Sequence, residues 1–240
     1  MEYIPERNLL ASVVVETREG LPCVNLTHPS GATALVFVYA AHLTSWKVRD
    51  QEQLFVSSKA EYGGGKAIRG GVPVCWPQFN DRGQYTKHGF CRNSDKWKVI
   101  RTSSEPYPCV VLGLTDDEGT RSIFPFSFEL RYSVTLDGPE SLSTSMTVIN
   151  TGAEMLEFTT ALHTYFRVSS VGDVRVLGLK GITYEDSTKE RAKAIQEEDA
   201  LEISGEVDRV YLNAPSEVFI LDEVLLLPCT THAFPLIYNT

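Results

Sequence analysis

Hydrophobic and polar positions alternate most strictly between Phe126 and Leu136, where every second residue from Phe126 onward is apolar. A period of two is typical of a β-strand with one buried face. The turn-forming run 137–140 (Asp-Gly-Pro-Glu) follows, and a similar alternation resumes from Leu142 to Val148. The pattern predicts a β-hairpin.

The rest of the chain also favours strands. Five further segments are rich in β-branched and aromatic residues: Val13–Glu16, Thr33–Val38, Val110–Leu114, Leu156–Val168 and Val174–Leu179. Helical periodicity is confined to Ser187–Ala200, where it predicts a turn or two of helix. Many short antiparallel strands with turn-rich connections predict an all-β fold, a sandwich or a barrel. Because the chain shows no repeat and no linker, we expect one domain over residues 1–240.

Composition excludes several classes of protein. With 240 residues, 42% hydrophobic and 22% charged, the chain is typical of a soluble globular protein. The net charge of −9 argues against a nucleic-acid partner. Charge is uneven, however, because nine basic and three acidic residues lie between Lys59 and Arg101. This basic segment is either a solvated face or a site for a small anion.

The ends of the chain and its cysteines predict a cytoplasmic location. The N-terminus has no apolar signal core, and the uncharged stretch 224–240 is shorter than the ~20 apolar residues of a membrane span. The five cysteines are odd in number, and no pair has C-x-x-C spacing. They are expected to be reduced thiols, with no metal site. We expect a monomer that binds neither membrane nor nucleic acid.

Three clusters carry candidate chemistry. Arg69-Gly70-Gly71 combines a guanidinium with backbone that can approach a ligand closely. The run 87–93 places His88 and Arg92 four residues apart, beside Lys87. His163 lies in the apolar, strand-like run 161–166. Taken alone, the Arg-Gly-Gly run favours a structural loop, and His163 favours a buried core histidine, over a functional role.

Taken together, these clusters resemble one family. Arg69-Gly-Gly, His88-Gly-Phe-x-Arg92 and Leu162-His163-Thr-Tyr occur in the order found in the hexose-6-phosphate mutarotases of the aldose 1-epimerase superfamily, and Asp208-Arg-Val-Tyr is similar to a further segment of that family. The resemblance covers nearly all of residues 8–220. It implies a large antiparallel β-sandwich of the galactose-mutarotase type, with residues 224–240 as an atypical tail.

The resemblance also implies an activity and its residues. The reaction would interconvert the α and β anomers of a hexose 6-phosphate, glucose 6-phosphate above all, without a cofactor. His163 would be the general acid, and His88 a hydrogen-bonding partner beside the ring. Arg69 and Arg92 would contact the phosphate or substrate, since arginine forks bind phosphate well. Lys87 would add charge to that pocket or face water.

Asp208 would accept hydrogen bonds from sugar hydroxyls, again by the resemblance. The family's catalytic base is a glutamate on a later strand, and after Glu223 the sequence matches neither that strand nor its Trp-Asn-Pro-Trp-like neighbour. The nearest carboxylates, Glu217 and Glu223, do not match the motif. Three hypotheses therefore stand: a hexose-6-phosphate epimerase, a sugar-phosphate-binding sandwich without the base, and an epimerase of neutral aldoses.

Overall fold

The computed structural model describes residues 10–222 and the strand Cys229–His232. The chain divides after Arg167 into two compact units. The first unit begins with a five-stranded antiparallel sheet in the order β1-β2-β3-β4-β5. Its strands are β1 (Ser12–Arg18), β2 (Leu21–Thr27), β3 (Thr33–Phe37), β4 (His42–Val48) and β5 (Gln51–Glu52). Glu19 and Gly20, both at positive φ, form the two-residue turn between β1 and β2, as tight hairpins require.

A second, four-stranded sheet contains the hairpin predicted from the alternation. After the short strand β6 (Val74–Cys75), the sheet order is β10-β9-β8-β7. Its strands are β7 (Lys98–Ser103), β8 (Cys109–Thr115), β9 (Phe128–Gly138) and β10 (Ser141–Asn150). The alternate residues of β9 from Phe128 to Leu136 are fully buried, so the predicted buried face is confirmed.

Little of the described chain is helical. The helix α1 (Glu118–Arg121) was not predicted, because four residues are too few for periodicity to register. Asp117 caps it, since its side chain accepts the N–H of Thr120 while the Thr120 hydroxyl accepts the N–H of Asp117. The remaining helical pieces are 3₁₀ turns: Tyr39–Ala41, Cys91–Asn93, Val171–Asp173 and Ser187–Lys189. No helix in residues 10–222 is long and apolar enough to cross a membrane.

The core of the first unit lies between its two large sheets. Apolar side chains of β2, β3 and β4 pack against those of β8 and β9 in a single cluster. Trp76 is fully buried within it, with ring centroids 4.5 Å from Phe128 and 4.9 Å from Phe124. Removing an aromatic side chain of this kind costs about 3–5 kcal/mol in a typical core. The antiparallel sandwich predicted from the sequence is therefore confirmed.

The long strand expected over Leu156–Val168 is interrupted. Only β11 (Ala161–Leu162) is a regular strand, paired with β6. The same antiparallel register continues outward, because the N–H groups of Thr159, His163 and Tyr165 donate to the carbonyl oxygens of Pro77, Pro73 and Gly71. Because proline has no N–H, Pro73 and Pro77 cannot donate a hydrogen bond back to His163 and Thr159. Each of these two pairs therefore has one hydrogen bond instead of two.

The second unit contains two smaller antiparallel sheets. Their orders are β15-β12-β17-β18 and β14-β13-β16. The strands are β12 (Val174–Leu177), β13 (Thr183–Asp186), β14 (Ala192–Ile195), β15 (Ala200–Glu202), β16 (Arg209–Tyr211), β17 (Glu217–Asp222) and β18 (Cys229–His232).

The helix expected over Ser187–Ala200 is only the 3₁₀ turn Ser187–Lys189, followed by β14 and β15. Glu190 and Arg191 both have positive φ, and this left-handed pair ends the helical turn. The organisation of residues 1–240 as one domain stays a prediction. The tail 224–240 lies outside the described residues, apart from β18.

Candidate active site

The segment Arg69–Pro77 organises the candidate site. Near its start lie Gly70 and Gly71, whose φ values are +116° and +62°. A Cβ on Gly70 would lie 2.3 Å from the carbonyl oxygen of Phe55, and one on Gly71 would lie 2.3 Å from that of Leu43. The close approach of three backbone segments therefore requires both glycines. This explains the Arg-Gly-Gly motif in structural terms and fixes where Arg69 leaves the backbone.

His163 lies on one side of this segment. Its backbone N–H donates to the carbonyl oxygen of Pro73 at 3.0 Å, directly after the paired strands β6 and β11. Nδ1 of His163 is buried without a hydrogen-bond partner among the described residues. The ring of Tyr165 lies 4.9 Å from the His163 ring, tilted by 33°. His163 is therefore fixed by its backbone, and its half-buried imidazole makes no hydrogen bond with the described residues.

His88 lies on the other side of the same segment. Gly89 forms a parallel bridge with Trp76, so close that a Cβ on Gly89 would lie 2.0 Å from the Trp76 carbonyl oxygen. This contact places the neighbouring His88, itself at φ +67°, against the segment. Nδ1 of His88 accepts a hydrogen bond from the backbone N–H of Asn80 at 3.1 Å. Because an N–H can only donate, the proton of the neutral imidazole is on Nε2.

The two imidazoles meet edge to face. The ring centroids of His88 and His163 are 5.6 Å apart, with an interplanar angle of 82°. Burial lowers the pKa of His88 to about 4, and the positive charges of Arg92, His163 and Lys87 act in the same direction, while Asp81 opposes them. His88 is therefore neutral at physiological pH and can donate through Nε2. The structure brings these two predicted residues together.

Two of the predicted cations, Lys87 and Arg92, lie within four residues of His88 in the chain, and the third is Arg69. Arg92 is half-buried in the 3₁₀ turn after Gly89. Its guanidinium donates to the carbonyl oxygen of Lys87 at 3.2 Å. Its Nε has no hydrogen-bond partner among the described residues. Lys87 and Arg69 are exposed. The side chain of Arg69 has no hydrogen-bond or ion-pair partner within residues 10–222. Elsewhere in the basic segment, Lys66 and Lys96 pair with Glu61 and Asp117.

Asp208 belongs to the second unit and is exposed immediately before β16. Its carbonyl oxygen accepts the N–H of Ser187 at 2.8 Å, which fixes its backbone. The rest of the Asp-Arg-Val-Tyr motif is engaged elsewhere: the guanidinium of Arg209 stacks 4.3 Å above the ring of Tyr184. Of that motif, Asp208 is the member whose side chain is exposed. Glu217, at the start of β17, is also exposed, and Glu223 lies outside the described residues.

Sequence reasoning missed two buried polar residues. His42 is fully buried; its Nε2 donates to the carbonyl oxygen of Gly70 at 2.7 Å, and burial lowers its pKa to about 4. Gln78 is buried directly after the segment. A polar residue within an apolar run, as in Val72–Phe79, was the available signal, because buried amides need partners. Among the described residues, no group of three His, Cys, Asp or Glu side chains could hold a metal ion. A cofactor-free reaction stays a prediction.

With this geometry established, the family can be identified. The family model described as aldose 1-epimerase matches residues 22–228. That span includes every candidate residue and all the strands of the first unit except β1 and the first residue of β2. The chain belongs to the aldose 1-epimerase family, so the family predicted from the sequence is confirmed.

Individual relatives sharpen the comparison. The chain is 39% identical over 219 residues to a candidate glucose-6-phosphate 1-epimerase of Cenchrus ciliaris, covering 87% of this chain and 66% of the relative. It is 33% identical over 210 residues to one of Escherichia coli, covering 85% and 68%. The crystal structure of a candidate mutarotase from Salmonella typhimurium superposes with a TM-score of 0.78 at 28% identity, covering 89% and 70%. The chain thus spans about two thirds of the length of its curated relatives.

Proposed function

We propose that this chain interconverts the α and β anomers of a hexose 6-phosphate, with glucose 6-phosphate as substrate. The observation that carries the proposal is the pair of imidazoles, His88 and His163, held 5.6 Å apart on either side of one backbone segment. Membership of the family supports the reaction, and the names of the relatives in Cenchrus ciliaris and Escherichia coli support the phosphorylated substrate.

The chemistry divides between an acid and a base. Ring opening needs a proton delivered to the ring oxygen while the C1 hydroxyl loses its own; the C1–C2 bond then rotates, and the ring closes on the other face. His163 is proposed as the acid, because an imidazole can hold or release a proton near neutral pH. His88, neutral with its proton on Nε2, would donate a hydrogen bond to a sugar oxygen. These two residues account for the acid half of the reaction.

The remaining predicted residues would bind the substrate. Arg92 supports phosphate binding because its charge acts on His88 and its Nε has no hydrogen-bond partner among the described residues. Arg69 would supply a second guanidinium from a rigid backbone position, and Lys87 a more distant positive charge. Asp208 would accept hydrogen bonds from sugar hydroxyls, since a carboxylate can accept two from a diol.

The test is exchange between the anomers of glucose 6-phosphate, followed by NMR above the rate in buffer. We expect the full chain to accelerate exchange, and His163→Ala to reduce it by about 10²–10⁴-fold, the usual contribution of a general acid. His28→Ala, in the turn between β2 and β3, is the matched control and should retain full activity. Binding of glucose 6-phosphate without exchange would support the binding module instead, and an unchanged rate in His163→Ala would refute the assignment.

We also propose that the protein is a cytoplasmic monomer without a membrane or nucleic-acid partner. The thiols of Cys23, Cys75, Cys91 and Cys109 are free, which supports a reducing compartment. The net charge of −9 supports the absence of a nucleic-acid partner. Light scattering after size exclusion tests the monomer, and cell fractionation tests the location; a dimer mass or a membrane pellet would contradict them.

A further inference from the structure

A single buried side chain closes the loop that carries His88. Gln78 is 2% exposed. Its Nε2 donates to the carbonyl oxygens of Asn80 and Tyr85, both at 3.0 Å, and its Oε1 accepts the N–H of Tyr85 at 2.9 Å. All these partners are main-chain groups of the loop 79–88. Gly83 leaves room for the amide, because a Cβ there would lie 2.3 Å from Gln78 Oε1.

Asn80 connects this amide to the imidazole. The Asn80 carbonyl oxygen accepts from Gln78 and also from the backbone N–H of His88, at 3.0 Å. Its own N–H donates to His88 Nδ1 at 3.1 Å. Asn80 and His88 both have left-handed backbone conformations, φ +54° and +67°, which surrounding contacts must hold in place. Gln78 supplies such contacts from inside the loop.

The consequence concerns the position of one proton. With the Asn80 N–H directed at Nδ1, a neutral His88 must carry its hydrogen on Nε2. If the loop opened, the ring would lose that donor, and the two tautomers would both be populated. A molecule with hydrogen on Nδ1 presents only a lone pair at Nε2 and cannot donate from that nitrogen to a sugar oxygen. Fixing the tautomer therefore keeps His88 able to donate a hydrogen bond from Nε2.

We propose that Gln78 is a positioning residue for His88: it holds Asn80 so that the His88 imidazole keeps its hydrogen on Nε2. The assignment of a role to that hydrogen rests on the proposed epimerase function. The position of the hydrogen itself does not, so the two can be tested separately.

The decisive measurement is ¹⁵N NMR of the histidine rings at pH 7, in which a protonated and an unprotonated ring nitrogen have well-separated shifts. The chain has five histidines; comparison with His88→Gln assigns the His88 signals. In the wild-type protein we expect Nδ1 to be unprotonated and Nε2 protonated. A wild-type His88 with hydrogen on Nδ1 would overturn the proposal without any variant.

Gln78→Leu should shift the His88 signals toward a mixture of tautomers and lower the exchange kcat about tenfold, with KM changed less than about twofold. Gln84→Leu is the matched control: the Gln84 amide lies in the same loop but donates to the hydroxyl of Tyr85, and it should leave both readouts unchanged. If Gln78→Leu does not fold, Gln78→Glu replaces it, because it keeps the shape of the side chain and removes both donations as a carboxylate, or one of the two as a protonated acid.

A folded Gln78 variant with the wild-type tautomer and kcat would overturn the positioning role. A wild-type protein with the expected tautomer but no anomer exchange would leave the role of Gln78 in holding His88 intact and refute the proposed function. A fall in kcat with an unchanged tautomer would also count against the proposal, since the effect would then not pass through His88.

Discussion

Two stretches of left-handed backbone frame the candidate site, and they are held in opposite ways. At Gly70 and Gly71, three backbone segments approach so closely that any added carbon would collide with a carbonyl oxygen. In the loop 79–88, the left-handed residues Asn80 and His88 carry full side chains, and the amide of Gln78 closes the loop by hydrogen bonds. The first region depends on the absence of side chains and the second on the presence of one.

The difference predicts where each region fails. The glycine region should be damaged by adding a single methyl group, whereas the loop should be damaged by removing one amide. The two regions also position different side chains of the candidate site. The glycine region fixes the backbone from which Arg69 extends, and the loop fixes the ring of His88. Four experiments, from the largest expected effect to the smallest, test this contrast.

Gly71→Ala should lower the free energy of unfolding by about 3–5 kcal/mol, because a Cβ at this position would lie 2.3 Å from a backbone oxygen. Gly64→Ala is the matched control: its φ of +64° is almost the same, but no atom of the described residues lies within 4 Å of its Cβ position. The control should lose only about 1 kcal/mol. Denaturant unfolding measures both, and equal losses would show that strain in φ, rather than the close approach, decides the cost.

His42 adds a pH dependence to the glycine region. Its pKa is lowered from 6.5 to about 4 in the folded protein. The unfolded chain therefore takes up a proton before the folded one does. The contribution of His42 to the free energy of unfolding is constant above pH 7. It falls as the pH drops from about 6.5 to 4, and it is constant again below pH 4. The shift corresponds to roughly 3 kcal/mol at full development.

His42→Gln keeps a donor for the Gly70 carbonyl and removes the titration. Between pH 7 and pH 4, the wild-type protein should lose about 3 kcal/mol more stability than this variant. Urea unfolding at a series of pH values measures the difference. The contributions of His88 and the carboxylates are the same in both proteins and therefore cancel. Parallel curves for the two proteins would contradict the assignment of the low pKa to His42.

Arg69→Ala should reduce kcat/KM for glucose 6-phosphate by about 10–100-fold and leave free glucose nearly unchanged, because a lost charged hydrogen bond to phosphate is worth about 1.5–3 kcal/mol. Lys47→Ala, which removes an exposed cation of β4, is the control for loss of charge alone. Anomer exchange of both sugars supplies the comparison. Equal losses on the two substrates would refute phosphate binding by Arg69 and favour the neutral-aldose hypothesis.

Lys87→Gln should have the smallest effect. Lys87 is exposed, and it ranks behind burial, Arg92 and His163 among the causes of the low pKa of His88. At physiological ionic strength, an exposed charge contributes little. Exchange at pH 7 should change by less than about twofold, and the effect should grow at low salt. A tenfold loss at 0.15 M salt would place the lysine in direct contact with the phosphate.

The sequence predicts most of the sandwich, because alternation directly reports a buried face. The run 126–136 is an example: its apolar positions within β9 are the buried ones. The segment Leu156–Val168 shows the limit of this signal. It is as apolar as a strand, but its partner contains Pro73 and Pro77, and composition alone does not reveal which residues will lie opposite each other.

For the candidate site, too, the sequence predicts some features and not others. His88 and His163 could be found because the chain has only five histidines and the family resemblance points to these two. Their contact depends on Trp76 bridging Gly89 while Pro73 accepts from His163, two pairings of residues distant in sequence. Gln78 and His42 were missed because each acts through hydrogen bonds to main-chain groups. A polar residue within an apolar run signals a buried amide, but it does not identify the main-chain partners.

The bonding of Gln78 has a consequence for protein engineering. Within the described part of the chain, the hydrogen bonds of its amide go to main-chain atoms, which every amino acid except proline supplies in full. Closure of the loop by Gln78 is thus indifferent to the identity of residues such as Gln84 and Thr86. Substitutions at these two positions should therefore leave the loop closed and the His88 ring in place, which makes them suitable sites for attaching labels or altering surface charge.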